Sequence, residues 1–347
     1  MKPVTFMVAG ALDQPTGGYL YDRAIIDGLR ADGIAVNIVE LEGAFPLADT
    51  TARTALDDAL TACSSDASIV IDGLAACALP DVVALHAANR AIVILVHHPL
   101  CDETGLAADT RDHLLELERR ALACAAHVVV TSHFTAHRLV ALNLAAEGDI
   151  TVVEPGVHPV MQPQAASEGP CRLLCVASLT PRKGHRLLVE ALAQVAELDW
   201  LCDFVGDDRR DAEEARAIGE AIARQGLEER VRLCGAQDQQ ALDGYYARAD
   251  IFVLASWYEG YGMVIDEAVA HGLPIVTTTG GALADTFPTG AGMAVAPGDA
   301  AALAGALRTL IADSEQRGCA AAASRAARER QRDWPTVARQ FAAVLSS

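Results

Sequence analysis

Short apolar runs and longer amphipathic stretches alternate along nearly the whole chain. In the first half the runs are VTFMVAG (from Val4), IAVNIVEL (Ile34), SIVIDG (Ser68), AIVILVH (Ala91), HVVVTS (His127) and ITVVEPG (Ile150). Helix-like spacing fills residues 17–32, 51–62, 80–89, 104–125 and 133–146. Continuous β-branched runs predict strands covered on both faces, and the alternation predicts βαβ units. Right-handed crossovers wind such units into a doubly wound α/β sheet.

The pattern then restarts. Strands are predicted at RLLCVASL (Arg172), WLCDFVG (Trp200), VRLCG (Val231), DIFVLAS (Asp250), PIVTTT (Pro274) and GMAVAP (Gly292). Helices are predicted over 184–197, 211–226, 238–249, 262–272, 299–312 and 314–331. Between the halves, EPGVHPVMQPQAASEGPCR (from Glu154) holds four prolines and two glycines and reads as a linker. In the tail, Trp334, Val337, Phe341 and Val344 recur at helical spacing, and Pro335 suits a first helical turn. That stripe predicts a core-facing helix and leaves open whose core it joins.

A length of 347 residues agrees with two domains. Basic residues number 27 against 46 acidic, a formal charge of −19, which disfavours nucleic acid and anionic membranes as partners. The nine cysteines are odd in number and mostly sit in apolar runs, which predicts reduced thiols in the cytoplasm. The start does not resemble a signal peptide, and no apolar stretch is long enough to cross a bilayer.

Chemistry concentrates where predicted strands end. Gly17 and Gly18 precede a helix, where backbone N–H groups can approach an anion, although a simple turn would also use them. His97 and His98 end the fourth strand; adjacent residues there point to opposite faces, so a metal shared by the two is not expected. Arg182 and Lys183 precede Gly184 and a helix, where cations can clamp a diphosphate. Glu259 follows a strand end, Gly260 and Gly262 allow a tight turn, and the next helix starts near Met263. Glu267, about one turn further in, can accept hydrogen bonds from a ribose diol while the helix start takes phosphate.

Taken together these motifs resemble a retaining glycosyltransferase of carbohydrate-active family 4. The glutamates match its Glu-x7-Glu motif, TPRKGHRLLVEAL its Lys-Gly phosphate turn, TGGYLYDRAIIDGLRADG its Gly-Gly loop, and VAPGDAAALAGAL its penultimate strand–helix signature. The resemblance covers nearly the whole chain and is strongest from 173 to 310. It implies the GT-B fold, two Rossmann-like domains with parallel sheets facing a central cleft. Residues 1–155 would form the acceptor domain, completed by a last helix over 333–347, and 156–332 the nucleotide-sugar domain. Hinge closure about the linker would accompany turnover.

The resemblance further implies roles. Gly17 and Gly18 would approach the donor diphosphate and Lys183 would bind it, with Gly262, Met263 and Val264 offering backbone amides. Glu267 would hold the ribose, Glu259 the donor sugar, and one of His97 and His98, with a slight preference for His98, would line the sugar site. The family often carries Arg five positions before the Lys; Ser178 stands there, so Arg182 is the candidate replacement. No DxD motif presents itself, and neither metal nor cofactor is expected. The implied reaction moves a sugar from a nucleotide diphosphate, a UDP-sugar rather than GDP-mannose, to a hydroxyl of a saccharide, lipid or small metabolite. The same cleft could serve a phosphorylase, an epimerase or a non-catalytic nucleotide-sugar binder, and peripheral membrane contact stays open.

Overall fold

The structure, a computed structural model, describes residues 2–160 and 169–346. Part of the linker read from the sequence, 161–168, lies outside the described residues. The chain divides into two compact units, one of residues 1–156 with 332–347 and the other of 157–331, so each boundary lies one residue from the sequence reading.

The first unit runs β1 (Val4–Ala9), α1 (Gly17–Ala31), β2 (Val36–Leu41), α2 (Thr50–Ala62), β3 (Ser68–Asp72), α3 (Gly73–Ala76), α4 (Pro80–Ala87), β4 (Ile92–Val96), α5 (Ala108–Leu122), β5 (His127–Val130), α6 (His133–Ala141) and β6 (Ile150–Val152). The second runs β7 (Cys171–Val176), α7 (His185–Ala193), β8 (Trp200–Val205), α8 (Ala212–Arg224), β9 (Val231–Leu233), α9 (Gln239–Arg248), β10 (Ile251–Leu254), α10 (Met263–Ala270), β11 (Ile275–Thr278), α11 (Leu283–Thr286), β12 (Gly292–Val295), α12 (Ala300–Ala312) and α13 (Ser314–Arg328). The last helix, α14 (Trp334–Val344), belongs to the first unit.

Each of the twelve apolar runs forms a strand. Among the described residues they make two six-stranded parallel sheets, ordered β2-β1-β3-β4-β5-β6 and β12-β11-β10-β7-β8-β9. The centres of both sheets are apolar on both faces, as in β1, β4 and β10, where every residue is buried. In each order the chain reverses once. After β2 it crosses to the far side of β1, and after β9 to the far side of β7. The crevices outside the carboxyl ends of β1 and β3, and of β7 and β10, are the ligand positions of such sheets.

The tail stripe joins the first core. Phe341 stacks on Phe6 at 6.4 Å, and Trp334 meets Tyr21 edge-on at 5.7 Å. Gly28 of α1 permits the approach: a Cβ there would lie 2.3 Å from the Ala338 Cβ. The short helices α3 and α11 have no counterpart in the sequence reading, since four residues carry too little periodicity to be seen.

Candidate active site

In the second unit the reversal of strand order brings two distant loops together. β7 leads into the Pro181–Lys183 turn and β10 into the Ser256–Gly262 segment. Lys183 Nζ donates to Glu259 Oε1 at 2.6 Å, and Arg182 donates to Glu259 Oε2 at 3.2 Å and to the Tyr258 carbonyl at 2.9 Å. Ser256 Oγ also donates to Glu259 Oε1, at 2.6 Å. Glu259 is 5% exposed. Burial alone would raise its pKa, but Lys183 and then Arg182 outweigh that and hold the carboxyl down at about 2. Burial in turn lowers the Lys183 ammonium against the pull of Glu259. Arg182 and Lys183 thus act on one carboxylate.

Backbone geometry makes the approach possible. Gly184 takes φ +68° as the turn meets α7, and a Cβ there would lie 2.1 Å from the Ala255 carbonyl oxygen. Glu259 is pinned by backbone pairing with the 280s loop: its N–H donates to Gly280 O at 3.2 Å, and Ala282 N–H donates to its carbonyl at 2.8 Å.

α10 starts at Met263 after Gly262 in a left-handed conformation, φ +95°, with no side-chain cap. α1 and α7, which follow β1 and β7, also lack one. By contrast α2, α6, α8, α9, α12, α13 and α14 are capped by Asp or Ser, though α4 and α5 are not. The helix starts after β1, β7 and β10 therefore keep first-turn amides, Met263 and Val264 among them, available to an anion, whereas α3, after β3, is capped by Asp72. Glu267 is half-buried and accepts the Tyr246 hydroxyl at 2.7 Å through Oε2, while Oε1 has no hydrogen-bond partner among the described residues. Burial, with Asp266 and Asp243 behind it, pushes its carboxyl up to about 7 against that hydrogen bond.

In the first unit the two histidines diverge. His97 Nε2 donates to Asp22 Oδ1 at 3.0 Å and lies 3.5 Å from Asp72 Oδ2. A Cβ on Gly18 would lie 3.0 Å from the His97 ring, so the Gly17–Gly18 helix start stands over it. His98 instead reaches Glu103 at 3.5 Å. The structure therefore brings His97, not the slightly preferred His98, under the Gly-Gly turn.

His97 also belongs to a cluster that the sequence reading did not identify. The polar atoms of Asp22, Asp72 and His97 lie within 4.8 Å of one another, the one such group among the described residues. Nε2, the ring atom a cation would need, lies 3.0 Å from Asp22 Oδ1 and 3.5 Å from Asp72 Oδ2. Sequence reasoning missed Asp22 and Asp72. Yet Asp22 stands at helical spacing on the buried stripe of Tyr19, Ile25 and Leu29, and Asp72 ends a buried strand, both unusual places for a carboxylate. A surface groove of about 560 Å³, lined by Arg53, Asp81, His113 and Arg120 among others, shares no residue with either cluster.

Comparison with known proteins bears on these loops. Residues 170–313, which hold Lys183, Glu259 and Glu267, match the family described as Glycosyl transferases group 1. Glycogen synthase of Mycobacterium tuberculosis is 33% identical over 220 residues, covering 56% of this chain and 48% of that protein. The chain thus spans about half the length of this curated relative. Among solved structures, sucrose-phosphate synthase from Thermosynechococcus elongatus superposes with a TM-score of 0.81 at 22% identity, covering 98% of both chains. Anabaena HepE in complex with UDP-glucose gives 0.78 at 20%, covering 99% of both. The whole chain has the GT-B fold, and the match to the glycosyl transferases of group 1 lies within its second unit.

Proposed function

We propose that the protein transfers a sugar from a nucleotide diphosphate donor to a hydroxyl acceptor with retention of anomeric configuration. The observation that carries this reading is the convergence of Lys183 and Arg182 on Glu259 at the β7/β10 reversal, inside the family match. Two cations beside an uncapped helix start suit a leaving diphosphate, whose charge grows as the glycosidic bond breaks. Glu267 offers Oε1 to the ribose diol, and Glu259 offers its carboxylate to the donor sugar. Within the first unit, Gly17 and Gly18 set the α1 helix start against His97, where both can meet a substrate. No protein nucleophile is assigned; the acceptor attacks the face the diphosphate leaves, through an oxocarbenium-like state.

A UDP-sugar is the favoured donor, supported by the UDP-glucose held by HepE. The protein works in the cytoplasm without a metal, its cations and helix ends taking the leaving group's charge. Among the described residues no helix is long and apolar enough to cross a membrane. A nucleotide-sugar panel read by thermal shift, then acceptor screening with the best donor, tests the reading. Transfer should persist in EDTA, and the product should keep the donor's anomeric coupling by proton NMR. No stabilisation by any nucleotide sugar, or an inverted product, would refute it.

A further inference from the structure

His97 lies against two carboxylates. It follows β4, and its Nε2–H points at two carboxylates from different elements. Asp22 comes from α1 and is fully buried; Asp72 ends β3, is 5% exposed, and also caps α3 by accepting the Leu74 N–H at 2.5 Å. Tyr21, also on α1, packs edge-on against the ring at 5.5 Å and is kept neutral by burial, which pushes its phenol up. The Thr131 and Thr135 hydroxyls donate to the His97 carbonyl. The ring's other nitrogen, Nδ1, has no hydrogen-bond partner among the described residues, and the side chain is 18% exposed. One ring edge therefore faces Asp22, Asp72 and Gly18, and the other is open.

A neutral imidazole here would leave Asp22 and Asp72 buried without a counter-charge, a costly state unless one of them takes up a proton. Asp22 Oδ2 has no other partner to offset its charge. We propose that Asp22 and Asp72 are positioning residues that hold His97 as an imidazolium, with its Nδ1–H turned outward as a fixed hydrogen-bond donor to an oxygen of the hydroxyl-bearing substrate. Burial alone would lower the His97 pKa, but Asp22 and then Asp72 outweigh it and push it up to about 10. Burial first, and then Asp72, raises Asp22 itself to about 7, against the His97 charge. When Asp22 takes up a proton, Asp72 still faces the ring. A histidine so held donates at every physiological pH and cannot serve as a general base, because both nitrogens already carry protons.

The substrate half of this inference rests on the glycosyl-transfer reading, and the protonation half does not. The test is ring-nitrogen NMR of the histidine-labelled full chain, with His97 assigned by its disappearance in His97→Gln. The expected result is a His97 with both nitrogens protonated at pH 8, and a midpoint lowered by about 1–3 pH units in Asp22→Asn or Asp72→Asn, as loss of an adjacent charge requires. Two variants are used so that misfolding of one leaves the other, and the unmodified protein alone reports the charge state. A His97 neutral at pH 8, a midpoint unmoved in both variants, or a His97 signal changed by EDTA would each overturn the proposal. In an active enzyme, Asp22→Asn should add a falling limb to kcat/KM on the alkaline side; an unchanged profile would overturn the substrate contact. Failure of the transfer reading would show differently, as no turnover with any donor while the NMR result stands.

Discussion

Lys183 Nζ and Glu259 Oε1 stand 2.6 Å apart although 76 residues separate them in the chain. The contact exists because β10 returns to pair with β7 after the chain has built β8 and β9 on the other side. It brings a cation and an anion out of water at the mouth of one sheet, where each is costly without the other.

Glu259→Gln should therefore cost about 3–5 kcal/mol at pH 7, since Arg182 and Lys183 would keep their charges without a counter-ion. The pH dependence follows from the lowered carboxyl, about 2 when folded against an ordinary 4.5. A depressed acid stabilises the fold fully above its unfolded pKa and loses that contribution as pH falls through the folded one. Urea denaturation should show a wide gap between the parent and Glu259→Gln at pH 7, closing as pH falls from about 4.5 toward 2. A gap of constant size would show that the ion pairs do not govern stability.

If both cations hold the donor diphosphate, Lys183→Ala and Arg182→Ala should each lower turnover, and the double variant should lose much less than the two losses summed. Residues that share one partner couple in this way. Steady-state kinetics with a nucleotide-sugar donor measure it. Normal rates in both single variants would remove the basic turn from the reaction.

Glu267 must be ionised to accept two hydroxyls of a ribose, yet its carboxyl is pushed up to about 7. A midpoint there leaves about a tenth ionised at pH 6 and about nine-tenths at pH 8. Calorimetric affinity for a nucleoside diphosphate should rise by up to about tenfold over that interval, and Glu267→Gln should flatten the rise. Glu267→Ala should weaken binding by about 1.5–3 kcal/mol per charge-assisted bond lost. Equal affinities at both pH values and in all three proteins would remove Glu267 from the nucleotide site.

Gly28 sets two effects against each other. In an exposed helix, Gly→Ala stabilises by about 1 kcal/mol through propensity. Here the added Cβ would lie 2.3 Å from the Ala338 Cβ of α14, and overpacking of that kind costs about 1–3 kcal/mol. Gly28→Ala should thus lower the melting temperature, and Gly28→Ala with Ala338→Gly should recover much of the loss. A variant more stable than the parent would mean that α14 moves aside without cost.

Much of the scaffold was legible in the sequence because its signals are local. Continuous apolar runs mark parallel strands, 3.6-residue periodicity marks the covering helices, and a glycine before a helix marks its start. Hence the twelve strands, the start of α10 after Gly262, and the placing of Lys183 and Glu259 just beyond strand ends could be read residue by residue. What lies across the sheet could not. Periodicity says that a residue faces inward but not which residue it meets, and strand order decides that. Only the fold brought Arg182 and Lys183 to the same carboxylate and sent the Trp334 stripe to Tyr21 and Phe6. It also parted His97 from His98 and closed Asp22 of α1 and Asp72 of β3 on the first. A charge on a buried stripe is a local oddity in sequence; its meaning depends on the counter-charge, and that is supplied from 75 residues away.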